Sequence, residues 1–394
     1  MSKKLLIIGG GKWQVPIIKK AKELGHYVIC SNLYEDSIGF KYSDVSYVVD
    51  VLDKEKNLQI AKKHNVDAIL TDQSDIAVIT VAYLSDQLGL KGVGNNIAHL
   101  FTNKRRMREE LIVSDLHHPK FKICKTIEEA NHFFTELKRP IVIKPLSNQS
   151  SRGVFKIETI KKLHQKFELT LKHSINNSIL VEEYIGGIEV TVEGFKSENK
   201  HYTLAISKKE HYEKLSSVAK SLIYLDKHNE FNSKKLKTIN NKLFDKLNFG
   251  ITHVEYKYYN EKFYLIEAAI RGGGTKISSH IIPIVSGVNV NALLIKILLN
   301  EKDVDIKLSN KKKCVILKFF DFQAGKVSKI YGTDYMTECP FILDFDFEFK
   351  EGDIIKMPSD DRSRIGYFIA YAESKKNLMK IVHNIDEKVY LDYV

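Results

Sequence analysis

Short β-rich runs alternate strictly with amphipathic helical stretches through residue 95, and this order most narrows what the chain can fold into. Leu5–Ile8 reads as a buried strand that stops at Gly9-Gly10-Gly11. A helix follows with Val15, Ile18 and Ala21 on one face, ending at Gly25. Tyr27–Cys30 and Tyr47–Val51 read as strands, Lys54–His64 as a helix, Asp67–Thr71 as a strand, and Asp75 to Leu88 as a helix. Strand and helix in that sequence predict a parallel, helix-covered sheet. A dinucleotide fingerprint would need glycine at position 14, where Gln14 stands, so the glycines predict a tight turn that touches a substrate.

Beyond Asn95 the pattern becomes α+β. Asn103–Val113 reads as a helix, and PIVIKP (Pro140–Pro145) as a strand stopped by proline. Ile179–Ile185, Ile188–Phe195 and Tyr202–Ile206 read as strands, Ser233–Leu247 as a helix, and His253–Ala268 as a hairpin. A Lys-rich linker at Glu301–Lys313 precedes a small β-rich unit (Val315–Phe320, Phe341–Phe349, Gly366–Ala372) with a final helix near Ser374–His383. The 394 residues suit two or three domains at about 150 residues each. The boundaries predicted are 1–95, 96–302 and 303–394.

A net charge of +12 suits anionic ligands, but it does not choose among nucleotides, nucleic acid and anionic membranes. No interleaved aromatic and basic stripe and no nucleic-acid motif occurs, so a nucleic-acid partner is not expected. The cysteines (Cys30, Cys124, Cys314, Cys339) lie far apart and form neither a disulfide framework nor a zinc knuckle, which fits a reducing cytosol. The apolar run Leu5–Ile8 is too short for a signal-peptide core. Ile281–Leu299 is broken by Ser286, Asn289, Asn291 and Lys296, so no membrane partner is expected and a cytoplasmic location is.

Glu255 and Glu267 lie in two strand-like runs, HVEYKYY and KFYLIEA, joined at Asn260-Glu261-Lys262. With those three residues as the loop, the two glutamates face each other on one side of the ribbon, their Cβ atoms about 5 Å apart. Like charges so placed need neutralising, and a hard divalent cation completed by phosphate oxygens does it. The alternative is a solvated pair, or a register shifted by one. Arg271 follows in EAAIRGGG; its fork fits a phosphoryl group or a carboxylate, and Gly272, Gly273 and Gly274 let backbone approach a ligand. Alternatively Arg271 pairs with Glu267 and the glycines make a turn. Lys144 ends an apolar strand before the polar loop Ser147–Gly153, whose hydroxyls (Ser147, Ser150, Ser151) and amides could wrap phosphates or simply be solvated. In ILVEEYIGGIE, Glu182, Glu183 and Glu189 flank Gly186-Gly187, as cleft carboxylates or as ordinary outward ones.

Taken in order, Lys104 in TNKRRMR, Lys144 with its Ser-rich loop, VEEYIGGIE, Glu255, Glu267 and Arg271 resemble the ATP-grasp superfamily, in its biotin-carboxylase-like and L-amino-acid-ligase-like carboxylate–amine ligase branch. The resemblance covers nearly the whole chain and implies a fold. An N-terminal α/β pre-ATP-grasp domain leads to a two-part ATP-grasp domain with a lid at about 120–186, then a small C-terminal domain. It also implies roles. Lys104 and Lys144 hold the ATP phosphates. Glu182 accepts from the adenine amino group, the backbone of Glu183, Tyr184 and Ile185 lines the base, and Glu189 binds ribose. Glu255 and Glu267 hold two Mg²⁺ ions, with Mn²⁺ as a substitute. The loop of Ser147, Ser150, Ser151 and Gly153 closes over ATP, and Arg271 steadies the acyl phosphate. Ala269 departs from the family, where asparagine often serves as an extra metal ligand.

The activity implied is an ATP-dependent carboxylate–amine ligase that forms an amide or peptide bond through an acyl phosphate. Its partners would be a small-molecule carboxylate and amine, and its assembly a homodimer. The alternatives are carbamoyl-phosphate-type activation, or a decayed ATP-binding regulator, for which Ala269 speaks. Candidate substrate residues are Gln14, Asp72, Gln73 and Ser74 at the end of a parallel strand, with His211, Arg271, Gly272 and Gly273.

Overall fold

The computed structural model describes residues 2–146, 152–174, 177–198, 200–212, 215–301, 306–310 and 313–394, with backbone alone for 215–217. Strands β1 (Lys4–Ile8), β2 (Tyr27–Asn32), β3 (Val45–Val48) and β4 (Ala68–Leu70) pair in parallel in the order β3-β2-β1-β4. Helix α1 (Val15–Glu23) joins β1 to β2, α2 (Lys54–His64) joins β3 to β4, and α3 (Asp75–Leu88) follows β4. Leu5, Leu6, Ile7 and Ile8 are all fully buried, as a strand covered on both faces requires. The chain leaves β1 toward β2 and returns to its other side as β4. The loops after β1 and β4 therefore meet at the carboxyl edge, where open α/β sheets bind ligands.

Helices α4 (Asn95–Leu100) and α5 (Lys104–Glu110) follow; Asn103 caps α5 by accepting from the Arg106 amide, and the helix ends three residues before the expected Val113. After β5 (Leu116–His117) comes a unit with its own core. It comprises β6 (Phe121–Cys124), α6 (Ile127–Leu137), β7 (Ile141–Pro145), β8 (Phe155–Ile157), α7 (Ile160–Leu171) and β9 (Ile179–Glu183). Its antiparallel order is β6-β9-β7-β8, and Ile141, Ile143, Leu163, Phe167 and Val181 pack between sheet and helices. This segment, the expected lid, thus has a hydrophobic core of its own.

The chain then builds β10 (Ile188–Ser197), β11 (Lys200–Tyr212), β12 (Leu215–Tyr224), α8 (Ser233–Leu243), β13 (Phe249–Tyr259) and β14 (Lys262–Ala269). A π-helical turn (Ile277–Ile281), α9 (Ile282–Ser286) and α10 (Val290–Leu298) come next. The C-terminal part adds β15 (Cys314–Phe319), β16 (Gly325–Ile330), α11 (Thr333–Glu338), β17 (Ile342–Phe347), β18 (Ile354–Ile355), β19 (Gly366–Ala372), α12 (Lys375–Lys388) and β20 (Leu391–Tyr393). Among the described residues the central sheet runs β17-β19-β15-β12-β11-β10-β13-β14-β5. The C-terminal segment is thus β-rich as expected, and its sheet continues the central one. The join is β12, a strand not anticipated because LSSVAKSLIY carries polar residues in both phases of a two-residue period.

The hairpin is built differently from the expectation. Its loop is two residues long, Asn260 and Glu261 with φ of 46° and 59°, and Lys262 belongs to β14 opposite Tyr259. Two successive positive φ values make a primed turn that follows the strand twist. A bulge at Ile266 then shifts the register, so Glu255 still pairs with Glu267. Two departures cancel at the residues that matter.

No single described helix is long and apolar enough to cross a membrane. The apolar stretch from Ile277 to Leu298 bends by 108° between its two helical parts, and Ile281, Ile282, Val290 and Ile295 are fully buried in the core.

Candidate active site

One cavity of about 550 Å³ gathers residues from every part of the chain. Lys104, Lys144, Glu182, Glu183, Tyr184, Ile185, Glu189, Glu255, Glu267, Arg271, Gln73 and His211, all expected from sequence, line it together. Glu255 and Glu267 stand opposite each other across the hairpin and open into the same space as Lys144.

Helix α5 contributes two cations one turn apart. Lys104 Nζ lies 3.3 Å from Glu267 Oε1. Arg108 Nε donates to Glu182 Oε1 at 2.7 Å, and its Nη2 to the carbonyl of Ile266, the bulged residue, also at 2.7 Å. Val142 pairs with Glu182 in the β7–β9 ladder, so Lys144, two residues on, is its diagonal neighbour, and Lys144 Nζ reaches Glu182 Oε2 at 2.5 Å. Burial acts to raise the Glu182 carboxyl, but Arg108 and Lys144 outweigh it and hold the group below its ordinary value. Burial pulls the Lys144 ammonium down against the opposing charge of Glu182. Glu182, expected to meet an adenine amino group, has its two oxygens on Arg108 and Lys144 and is 2% exposed. The Glu183 and Tyr184 amides donate to the carbonyls of Lys120 and Pro140, which leaves those two N–H groups committed to the fold.

Glu189 sits on a rung between Lys209 of β11 and Lys257 of β13. Lys209 Nζ lies 2.7 Å from Glu189 Oε1 and 2.8 Å from Glu255 Oε1, Lys257 Nζ 2.9 Å from Glu189 Oε2, and His211 Nε2 3.4 Å from that same oxygen. Burial would raise both carboxyls, yet the lysine charge keeps Glu189 well below and Glu255 below the usual range. Behind Glu255, His253 Nδ1 lies 2.9 Å from the fully buried Glu193. Burial lowers the imidazole, but Glu193 more than reverses this and lifts it to about 9. Ala269 stands opposite His253 in the ladder.

Arg271 pairs with Asp75 at the start of α3, not with Glu267. Its Nε and Nη2 reach the two carboxylate oxygens at 2.8 and 2.7 Å, and Nη1 donates to the Gly272 carbonyl. This fork ties the start of α3 to the segment that follows the hairpin.

Several expected substrate residues support the wall instead. Asp72 is fully buried, and its carboxylate accepts from the Gly272 amide (3.0 Å), Ser278 Oγ (2.6 Å) and Gln73 Nε2 (3.4 Å). Gln14 donates to the Asp72 carbonyl at 2.7 Å and so locks together the loops after β1 and β4. Ser74 occupies the position before α3 without a side-chain cap. A Cβ on Gly272 would come within 2.5 Å of Asp72 Oδ1, and one on Gly273 within 2.9 Å of Ile277 Cδ1, so both glycines serve close packing. Gly153 has φ +69° and accepts through its carbonyl from Thr170. Ser147, Ser150 and Ser151 lie outside the described residues.

Sequence reasoning missed Lys209, Lys257 and His253 at this cavity, as well as Lys12, Trp13 and Arg364, and missed Arg108 behind its wall at Glu182. Three had a readable signal. His253, Glu255 and Lys257 alternate with the buried Val254 and Tyr256, and Arg108 follows Lys104 by one helical turn. Lys209 announces itself only through pairing across strands.

Two opposed carboxylates suit a hard cation that takes its other ligands from phosphate. Among the described residues no group of three or more His, Cys, Asp or Glu side chains would hold a metal unaided.

Residues 137–279 match the ATP-grasp domain family and residues 318–394 the L-amino acid ligase C-terminal domain 2. The formate-dependent phosphoribosylglycinamide formyltransferase of Prochlorococcus marinus (strain MIT 9313) is 26% identical over 204 residues, which is 50% of this chain and 52% of that protein. That of Bacillus subtilis (strain 168) is 27% identical over 188 residues, 47% of this chain and 49% of its own. The chain spans about half the length of the curated relatives it matches. In fold, it is similar to the L-amino acid ligase of Bacillus licheniformis (TM-score 0.83, 19% identity, 100% and 99% of the two chains). It is also similar to phosphoribosylglycinamide synthetase of Anaerococcus prevotii (TM-score 0.78, 20% identity, all of both chains). The chain thus carries an ATP-grasp domain followed by an L-amino acid ligase C-terminal domain.

Proposed function

We propose that this protein is an ATP-dependent carboxylate–amine ligase that forms an amide or peptide bond and releases ADP and phosphate. The observation that carries the reading is the in-register pair Glu255 and Glu267 opening into one cavity with Lys104, Lys144 and Arg271. A substrate carboxylate attacking a γ-phosphate brings anion to anion, so the site must supply positive charge where negative charge gathers. On our reading Lys104 and Lys144 bind the phosphates, and Arg271, held by Asp75, steadies the acyl phosphate. Glu189 binds the ribose. The backbone carbonyls from Glu183 to Ile185 and the Ile185 amide receive the base, with Glu182 fixing Lys144. Glu255 and Glu267 would hold Mg²⁺, two ions in this proposal and Mn²⁺ in its place, whose charge offsets that of the β- and γ-phosphates. An amine nitrogen then displaces phosphate from the acyl carbon and loses a proton.

The substrates in this proposal are a small-molecule carboxylate and amine, met in the cytoplasm. Gln73, His211 and the Lys12–Trp13 edge of the cavity are the side chains closest to hand for them. The test is a product-mass screen of paired carboxylates and amines with ATP and Mg²⁺, reading ADP release alongside. A condensed product with stoichiometric ADP is expected. Nucleotide binding without turnover against any pair would instead mark an ATP-binding regulator.

A further inference from the structure

We propose, resting on the reading that Glu255 and Glu267 hold magnesium under a polyphosphate, that Lys209 is a polyphosphate ligand whose ammonium, parked between Glu189 and Glu255, makes metal binding conditional on nucleotide. Two lysines and an imidazole surround Glu189. Lys257 satisfies one of its oxygens at 2.9 Å and His211 approaches the same one, while Lys209 takes the other. Lys209 therefore brings more positive charge than Glu189 needs, and the excess reaches Glu255 at 2.8 Å. The other cationic neighbour of Glu255 is His253 Nε2, more distant at 3.8 Å. Lys209 is the direct counter-charge of the carboxylate assigned to the metal.

A divalent ion arriving alone at Glu255 meets that ammonium within a few ångströms, in a site where the Lys209 and Glu255 side chains are 12% and 24% exposed. Repulsion there is poorly screened. Arriving with a polyphosphate, the ion brings anionic oxygens to which Lys209 can turn. Lysine suits the exchange, since its compact charge rides on a flexible stem and demands no fork geometry. Neither Lys104 nor Lys144 stands on Glu255. Lys104 stands on the opposite carboxylate, Glu267, at 3.3 Å, and Lys144 is held by Glu182. Metal and nucleotide then favour each other, and by linkage each raises the affinity of the other equally.

The experiment titrates the full chain with Mn²⁺ alone, with Mn²⁺ at saturating ADP, and with ADP at fixed Mn²⁺, following free Mn²⁺ by paramagnetic resonance and heat by calorimetry. Wild-type protein is expected to bind Mn²⁺ about tenfold or more tightly when ADP is present, within the usual span of coupling. In Lys209→Met, Mn²⁺ alone should bind more tightly and ADP more weakly, so the coupling shrinks about tenfold. Lys209→Arg should retain the wild-type order, and Lys257→Met the wild-type coupling. If Lys209→Met does not fold, Lys209→Gln is read in the same way. Loss of Mn²⁺ and ADP affinity together, or unchanged coupling, overturns the role of Lys209 while leaving the site itself in place. Wild-type protein that binds no ADP at all sinks the underlying function and this inference with it.

Discussion

Two acidic regions of the molecule look alike in sequence and behave differently in space. Around the hairpin, Glu255 and Glu267 are about a quarter exposed and are neutralised by the ends of long lysines. At the N-terminal crevice, Asp72 is fully buried and accepts from a backbone amide and short side chains. A lysine can move to a ligand, whereas a peptide N–H cannot leave without unfolding its loop. The difference separates groups available for chemistry from groups that hold the chemistry in place, and it follows from what the carboxylate is paired with.

The sharpest way to break that comparison is to neutralise each region in turn. Glu267→Gln should lower ADP formation by about 10² or more, as removal of a group that stabilises transition-state charge does, with the thermal midpoint nearly unchanged. Undiminished turnover would end the metal assignment. On the crevice side, Gly272→Ala should cost about 1–3 kcal/mol by denaturant unfolding, since the new methyl overpacks against Asp72 and Ser278. Activity per folded molecule should fall much less than in Glu267→Gln. A variant as stable as wild type would show that the crevice gives way.

The smallest expected effect has opposite signs in the two regions. Burial raises the Asp72 carboxyl, so its contribution to stability is full below the unfolded value and is lost as pH rises through the folded one. Glu255 lies below its ordinary value despite burial, because Lys209 and His253 favour the charged form. Its contribution is present above the unfolded value and is lost as pH falls. Across about pH 3 to 6, the thermal midpoint of Asp72→Asn should gain on wild type as pH rises, and that of Glu255→Gln should lose. Slopes of the same sign would mean that the two carboxylates are not held in opposite ways.

Much of this arrangement could be read from local pattern. Alternation of apolar runs with helical faces announced the parallel sheet, and period-two spacing put Glu255 and Glu267 on hairpin strands. Even there, the correct pairing came from a shorter turn compensated by the Ile266 bulge, which local sequence does not reveal. Strand β12 escaped notice because its polar residues obscure the alternation. Asp72 was rightly placed at the carboxyl edge of the sheet, but its hydrogen bonds, like that of Gln14, turn inward to neighbouring loops.

By itself, then, the sequence determined the elements, the order of the charged motifs, and the faces from which those motifs project, because these depend on spacing along a strand or a helix turn. Tertiary structure alone decided which charge meets which. Arg108 joins Glu182 to the bulge, Lys209 bridges Glu189 and Glu255, and Asp75 holds Arg271 across 196 residues of sequence. Electrostatic partnership depends on distance through space and on exclusion of water, and neither is set until the sheets and helices have packed.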